Sequence, residues 1–360
     1  MCVYHHRPPE KKKWYIRSGH YTTKINGTIQ RYQCTQCGRR FSSHTFSIDY
    51  YVKKRVSYRR IVEHLITTSS IRDMARVFSV RTSTIQNRIE RLARNGLAVL
   101  TNLNTVHHLR EALVADGFES FEVSQYFPNN IHLLAGKESQ YIYGIDHVTI
   151  RRKGRMTEVQ KRRRSELEKR FRADPTGIER SFFRLLIDAG VMVSTAAYSP
   201  ITLYTDKKYE YGRALKKLPP CISILQVKIS SRKERTLYNP LFTVNYLDRQ
   251  IRKDQANHLR ETVCFSRNVT NALSRLIVYV LWHNCVKPYR EHTRRRVQMT
   301  HAQVAGFSLS QVNQSLQGYF THRAFFTHAD VTGFFRALWL KSLITPLKQN
   351  NEYLPKYAYA

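Results

Sequence analysis

Apolar residues recur at different spacings along the chain, and the changes in spacing divide it into regions. In residues 1–50 they alternate with polar residues, as in GHYTTKINGTIQRYQC, where Asn26-Gly27 is a hairpin turn signal. Between Ser57 and Arg94 they recur every three or four residues, which predicts three helices with breaks near residues 67–70 and at 79–80. We therefore predict a small β unit (1–50) followed by an all-α unit (51–98).

After Gly96 the pattern becomes mixed α/β. Apolar runs predict strands at 113–121, 131–134, 141–145 and 201–204. Helical spacing predicts helices at 157–172, 178–189, from about 246 and at 270–282. Three or more strands, then helix, strand and helix, is the order expected of a ribonuclease-H-like sheet, here at 105–290. Residues 291–360 are interpreted as a basic C-terminal tail of unknown role.

The charge of the chain indicates its partner. The 360 residues contain 60 Lys and Arg against 26 Asp and Glu, a formal net charge of +34 with a pI near 10.2. Such an excess attracts phosphate backbones, so a nucleic-acid partner is expected. The chain has no apolar run of the ~18–20 residues that a spanning helix needs, and its start, MCVYHHRPPEKKK, has no apolar core of a signal peptide. We expect no membrane partner and a cytoplasmic, nucleoid-associated location.

Cysteines near the amino terminus have metal-ligand spacing. Cys34 and Cys37, followed by Gly38, form a CxxCG knuckle that supplies two of the four ligands of Zn²⁺. The only upstream candidates for the other pair are Cys2 with His5 or the adjacent histidine, and Cys2-x-x-His5 has the spacing of a second knuckle. A structural zinc site is therefore expected; the alternative is a pair of incidental cysteines in a basic hairpin.

Residues 71–89 match a helix, a short turn and a second helix that opens with Thr82-Ser83-Thr84, which are good capping residues. Ala75 is expected at the helix crossing, with Val80 and Ile85 seating the second helix. This helix-turn-helix places donors and acceptors suited to a DNA major groove on its outward face: Arg81, Thr82, Ser83, Gln86, Asn87 and Arg88. The alternative is an ordinary three-helix packing unit.

Three aspartates are candidates for a catalytic metal site. Asp116 lies within an apolar strand and Asp206 ends another, where an acid is costly unless it is used or paired. Asp248 begins a predicted helix and shares a face with Arg252, four residues later. Convergent carboxylates hold the two Mg²⁺ ions of phosphoryl-transfer enzymes. Competing acids are Asp146, Glu119, Asp254 and Glu261.

Two segments resemble the transposases of bacterial insertion sequences, most closely the type named insertion sequence one. Residues 1–95 are similar to that family's module for binding DNA ends. Leu247-Asp-Arg-Gln-Ile-Arg, followed by His258-Leu-Arg-Glu-Thr-Val-Cys-Phe-Ser-Arg, is similar to the signature around the family's third acid. The match favours Asp248 over Glu261, and Arg249 and Arg252 match the family's basic residues. The family carries Glu where this chain has Asp248, so the triad reads Asp, Asp, Asp.

The resemblance implies a multidomain protein with a zinc ribbon, a helix-turn-helix and a ribonuclease-H-like catalytic domain. Its implied activity is Mg²⁺- or Mn²⁺-dependent cleavage and strand transfer at the terminal repeats of an element. Double-stranded DNA, as element ends and target, and further copies of the chain in a homo-oligomer are the implied partners. The rivals are an inactive or domesticated transposase that acts as a DNA-binding repressor, and a nuclease or resolvase with no joining step.

Overall fold

A computed structural model describes residues 13–197, 199–230, 232–259, 262–290, 298–349 and 353. These residues form a mixed α/β protein with one three-stranded and one five-stranded sheet. Among them, no helix is long and apolar enough to cross a membrane.

The amino-terminal sheet is antiparallel, in the order β1 (Tyr15–Thr23), β2 (Gly27–Cys34) and β3 (Arg40–Ser42). The predicted hairpin turn is confirmed, with Gly27 at φ +61° joining β1 to β2. Few residues of this sheet are buried, and aromatic rings supply much of its packing: Trp14 stacks on Phe41 at 5.1 Å between ring centroids, and Tyr32 stacks on the same ring at 5.5 Å.

The three predicted helices are confirmed as α1 (Tyr58–Leu65), α2 (Ile71–Val77) and α3 (Thr82–Thr105). The side chain of Ser70 caps α2 by accepting a hydrogen bond from the Asp73 amide at 3.1 Å. The expected capping of α3 by Thr82–Thr84 is wrong, because these residues lie inside the first turn and Arg81 occupies the cap position without a side-chain cap. The boundary predicted at residue 98 falls inside α3, because buried leucines continue its apolar stripe: Leu97, Leu100 and Leu103.

The five-stranded sheet has the order β6-β5-β4-β7-β8. Its strands are β4 (Leu113–Phe121), β5 (Pro128–Gly136), β6 (Ile142–Thr149), β7 (Ile201–Asp206) and β8 (Ile224–Ile229). The first three pair antiparallel, and β7 and β8 continue parallel to β4. The sequence did not predict β8, an edge strand whose residues are mostly half-buried or exposed and carry no clear apolar run.

Helices cover both faces of this sheet. Between β6 and β8 lie α4 (Glu158–Glu168), α5 (Gly177–Asp188), α6 (Gly190–Ser194) and α7 (Tyr209–Leu215). Helix α5 packs on β5, β6 and α7, and α8 (Phe242–Asp254) packs on β4 and β5. The buried helix α9 (Val269–Cys285) packs along α3, so the helical unit and the sheet unit share one core.

Residues 298–349 do not form a tail, which corrects the interpretation of 291–360. They contain α10 (His301–Val304), α11 (Leu309–Leu316) and α12 (Gly333–Trp339). Phe334, Leu338 and Trp339 are buried in the same core as α3 and α9. The region therefore completes the fold around the long helix α3.

Candidate functional site

Two of the predicted acids lie at the same level on neighbouring parallel strands. Leu113 of β4 pairs with Leu203 of β7, and Val114 pairs with Tyr204. The same register, continued by two residues, places Asp116 level with Asp206 at the end of β7. Because in-register neighbours project to the same face of a sheet, both carboxylates point to one side.

The third predicted acid reaches this side from α8. Arg252 donates a hydrogen bond from Nη2 to the carbonyl oxygen of Glu119 at 2.7 Å, and its guanidinium lies 5.7 Å from the centre of the Phe118 ring. Phe118 is two residues from Asp116 and therefore on the same face of β4. Asp248 lies one turn before Arg252 on α8, close enough for the charge of Asp116 to raise its pKa. Charge interactions thus link Asp116 to Asp206 and Asp116 to Asp248.

Burial and neighbouring negative charge disfavour the ionised forms of Asp116 and Asp248. Burial, and secondly the charge of Asp206, raises the pKa of Asp116 to about 6. Burial, and secondly the charge of Asp116, raises the pKa of Asp248 to about 8. Oδ1 of Asp248 is buried and has no hydrogen-bond partner among the described residues. The site therefore holds one buried carboxylate oxygen, Oδ1 of Asp248, that no described residue satisfies.

Basic groups that the sequence did not single out surround these acids. Lys208, two residues after Asp206, and Arg235, in the loop between β8 and α8, both stabilise the negative charge of Asp116. The backbone amide of Lys208 also donates a hydrogen bond to Oδ1 of Asp206 at 3.0 Å. Lys208 could have been found from the sequence, because it closely follows an acid at the end of a strand. Arg235 could not, because it lies in a loop, and residue spacing does not predict the conformation of a loop.

The competing acids have other roles or positions. Asp146 accepts hydrogen bonds from Ser181 at 2.6 Å and from Arg184 at 2.7 Å on the α5 side of the sheet. Asp254 accepts one from the Tyr279 hydroxyl at 3.0 Å. Glu119 is exposed, and Glu261 lies outside the described residues. Within the described part of the chain, no three His, Cys, Asp or Glu side chains are already grouped as metal ligands.

The CxxCG knuckle has the expected turn. Gly38 has φ +69°, and its amide donates to the carbonyl oxygen of Cys34 at 3.0 Å. Cys34 is buried and Cys37 is exposed. Cys2 and His5 lie outside the described residues. The chain enters β1 beside the knuckle, since the amide of Thr35 donates to the carbonyl oxygen of Trp14 at 3.0 Å.

The helix-turn-helix presents most, but not all, of the predicted outward residues. Arg81, Thr82, Ser83 and Asn87 are exposed, and Gln86 is half-buried. The placement of Arg88 on the outward face is wrong. Its side chain is buried, donates from Nη2 to the carbonyl oxygen of Lys54 at 3.0 Å and lies 5.9 Å from the centre of the Tyr58 ring. Arg88 therefore joins α3 to the segment before α1.

Arg249 is exposed on α8 and lies beside Arg235 in a shallow depression. Arg252, by contrast, is half-buried and holds α8 against β4. Arg249 is therefore the more exposed of these two basic residues, and the charge of Arg252 favours the ionised form of Asp248.

Comparisons with known proteins assign no family to the chain. No family model matches it, and none of the curated proteins gives a significant match.

Proposed function

We propose that the chain is a DNA transposase, a metal-dependent enzyme that cuts the ends of an element and joins them to target DNA. The proposal is supported by the shared level of Asp116 and Asp206 on two adjacent parallel strands and by the charge interaction of Asp116 with Asp248 on α8. The strand order, with three antiparallel strands followed by two parallel ones, supports a ribonuclease-H-like catalytic domain.

The donor set fits a hard divalent cation. Mg²⁺ and Mn²⁺ prefer oxygen ligands, and the unpartnered Oδ1 of Asp248 and the mutual repulsion of the acids are what a cation would relieve. Asp116, Asp206 and Asp248 would hold the metal. When bound, it would activate the attacking oxygen and stabilise the leaving oxygen of a phosphodiester.

The chain's own residues position and neutralise the reacting DNA. Lys208 and Arg235 lie close enough to act on the charge of Asp116, so they also lie where a scissile phosphate would approach. Water is the first nucleophile and opens the phosphodiester at the element's end. The freed 3′-hydroxyl then attacks a target phosphodiester, so one P–O bond forms as another breaks and no protein nucleophile is required.

The amino-terminal region of the chain has features suited to recognising the ends of the element. The exposed residues at the start of α3 (Arg81, Thr82, Ser83 and Asn87) suit a major groove, and the CxxCG turn suits a zinc ribbon completed from outside the described residues. Cutting two ends in one event requires at least a dimer.

A second candidate is a DNA-binding relic without cleavage activity. It is favoured by the aspartate at position 248, which reaches less far than glutamate, and by the lack of a preformed three-ligand group among the described residues. This candidate shares the DNA-binding front end and predicts repression instead of joining.

End cleavage and strand transfer on a plasmid that carries the gene's native flanks test the proposal. We expect Mg²⁺-dependent joining by the wild type, a loss of at least about 10³-fold in Asp116→Asn, Asp206→Asn and Asp248→Asn, and near wild-type activity in the exposed neighbour control Glu119→Gln. Binding to the flanks without cleavage would favour the relic, and cleavage without joining would favour a nuclease or resolvase.

A further inference from the structure

A groove of about 760 Å³ runs along the amino-terminal sheet, away from the predicted outward face of the helix-turn-helix. One wall is the hairpin of β1 and β2, from Tyr21 to Arg31, and the other is formed by residues 40–45 and 50–53. The volume lies within the ~300–1,000 Å³ range of sites that take small ligands. The groove can therefore take a short extended segment, but it is too small to enclose a DNA duplex.

Hydrogen bonds between its walls fix the shape of the groove. Arg55 donates from Nη2 to the carbonyl oxygen of Ile25 at 3.0 Å and to Oδ1 of Asn26 at 3.2 Å, which ties the hairpin turn to the segment before α1. The hydroxyls of Tyr21 and Ser42 form a hydrogen bond of 3.3 Å, which joins the hairpin to the opposite wall. A ligand therefore meets walls that are already in place, and this lowers the entropic cost of binding.

The lining offers apolar surface to a ligand. Ile29 and Val52 line the groove and are buried, and Ile25 and Phe41 line it and are half-buried. Covering such side chains is favourable for a ligand with apolar faces of its own. A planar base has two such faces.

Aromatic rings are presented to a ligand in the groove. Tyr51 is 80% exposed, and its ring centroid lies 4.3 Å from that of Tyr50. Its backbone has φ +59°, which favours Gly or Asn, so this tyrosine is held against its conformational preference. On the hairpin wall the Arg31 guanidinium lies 4.8 Å from the centre of the Tyr21 ring. Exposed rings and guanidinium planes are surfaces on which unpaired bases stack.

The charge of the lining suits a nucleic-acid strand. None of the described residues that line the groove is Asp or Glu, and the basic ones are Lys24, Arg31, Arg40 and Lys53. Asp49, next to one wall in sequence, does not line it, and its charge acts on Tyr58 and Arg91. Residues 1–12, outside the described part of the chain, contain one acid against three Lys and Arg, so their net charge is also positive. The lining is therefore complementary to phosphates.

We propose that this groove binds unpaired nucleotides of a DNA strand, with Tyr51 stacking on a base and the basic side chains contacting phosphates. A paired base is stacked inside its duplex and cannot reach the groove, so the occupant is a single-stranded segment. A basic groove with stacking rings is the arrangement by which proteins hold single strands without reading their sequence. The inference rests on the proposed function for DNA as the partner and adds a single-stranded part to the substrate.

Fluorescence anisotropy on the full chain, without a divalent cation, tests the stacking role of Tyr51. The probes are a labelled oligodeoxythymidylate, which has no paired bases, and a blunt duplex of the native flank. Tyr51→Ala is expected to weaken binding to the single strand about five- to a hundredfold, the loss that corresponds to one stacked base. Binding to the duplex should be the same in this variant as in the wild type.

Tyr51→Phe is the matched control, because it keeps the ring at the same position and removes only the hydroxyl. It should bind the single strand within about twofold of the wild type, since a base stacks on either ring. Because Tyr51 is exposed, both variants should melt at the wild-type temperature. Equal affinities of Tyr51→Ala and Tyr51→Phe for the single strand, or an equal loss on both forms of DNA, would overturn the inference.

Lys53→Met tests the phosphate contacts. For the single strand, it should reduce the slope of log affinity against log salt by about 0.7, the value for one phosphate contact. Lys216→Met removes the same charge from an exposed position on α7 and should keep the wild-type slope. The same slope in both variants would contradict the contact of Lys53 with a strand in the groove.

These outcomes separate failure of the groove from failure of the proposed function. A wild type that binds neither DNA probe would contradict DNA as the partner, and so the proposed function itself. Binding to the duplex, with no effect of Tyr51→Ala on the single strand, would overturn the groove inference alone. An apolar peptide as the true occupant would give this second result.

Discussion

Asp248 combines a buried, unpartnered carboxylate oxygen with a position beside a second acid. In the folded chain without a cation, its ionised form is therefore destabilised. The pKa of about 8 lies above the ordinary value of 3.8, so at neutral pH the folded protein holds a proton that the unfolded chain releases. Stability contributed by this group is complete below pH ~4 and is lost as the pH rises toward 8.

Asp248→Asn should therefore stabilise the metal-free protein at pH 8, by roughly 1–3 kcal/mol, because it removes an unsatisfied charge. The gain should disappear near pH 4, where the wild-type carboxyl is neutral in both states. Urea unfolding at the two pH values measures the difference in the free energy of unfolding between Asp248→Asn and the wild type, with Glu119→Gln as the exposed control. A less stable Asp248→Asn protein at pH 8 would contradict the electrostatic description of the site.

Substitutions of Arg81 and Arg88 should have different effects on stability and on DNA binding, although both residues were predicted on the outward face of the recognition helix. Arg88→Met should lower the free energy of unfolding by about 1–3 kcal/mol, because the Lys54 carbonyl oxygen loses its buried donor. Arg81→Met should leave stability within about 0.5 kcal/mol and weaken DNA binding, because Arg81 is exposed. Thermal unfolding and fluorescence anisotropy on the two variants separate these effects. Equal stability of both variants would refute the packing role of Arg88.

The acids were predictable at the residue scale because a carboxylate in an apolar strand stands out from its neighbours, as Asp116 and Asp206 do. Arg88 was wrongly predicted on the outward face, because a guanidinium group suits contacts with DNA. Ile85, Arg88, Ile89 and Leu92 follow the i, i+3, i+4, i+7 spacing of one buried helix face, so the spacing itself placed Arg88 inside.

Helix α3 is the element on which the rest of the molecule is assembled. Sequence analysis ended the helical unit at residue 98, because the apolar pattern becomes mixed after Gly96. Here Gly96 is buried in the middle of α3, where an added Cβ would lie 3.2 Å from Cγ2 of Ile277 on α9. The glycine permits close approach of the two helices. Strands β4 to β7 were predictable from their apolar runs, whereas the edge strand β8 and the short carboxyl-terminal helices depend on tertiary contacts.

Gly96→Val should destabilise the protein by about 1–3 kcal/mol, because the branched side chain overpacks the contact between α3 and α9. Asn102→Val is the control, since Asn102 is exposed on the same helix and receives the same β-branched residue. Chemical denaturation of both variants measures the difference. A Gly96→Val protein as stable as its control would mean that the close approach is not required.

At the scale of the whole molecule, the net charge of +34 is the property that sequence alone established most directly. Among the described residues, one continuous hydrophobic core, in which α3 packs along α9, joins the helical unit to the sheet unit. Four of the five strands could be anticipated from their apolar runs. The closure of the fold by residues 298–349 could not, because short helices have weak periodic patterns.

Binding to DNA should depend steeply on salt, because basic residues that contact phosphates release counter-ions. For six to ten phosphate contacts, affinity is expected to fall by roughly 10³–10⁵-fold between about 50 and 200 mM salt. Fluorescence anisotropy with a labelled duplex measures the slope. An affinity that changes by less than about tenfold over this range would contradict a phosphate-based interface.

The central claim is that three aspartates form one cation site. The measurement that tests it most directly is a calorimetric titration with Mn²⁺ of the wild type and of Asp116→Asn, Asp206→Asn and Asp248→Asn. If the three aspartates form one cation site, the wild type binds Mn²⁺ at this site and each variant loses at least about tenfold in affinity, while Glu119→Gln binds like the wild type. Mn²⁺ binding that is the same in all five proteins, or absent from the wild type, would contradict the account.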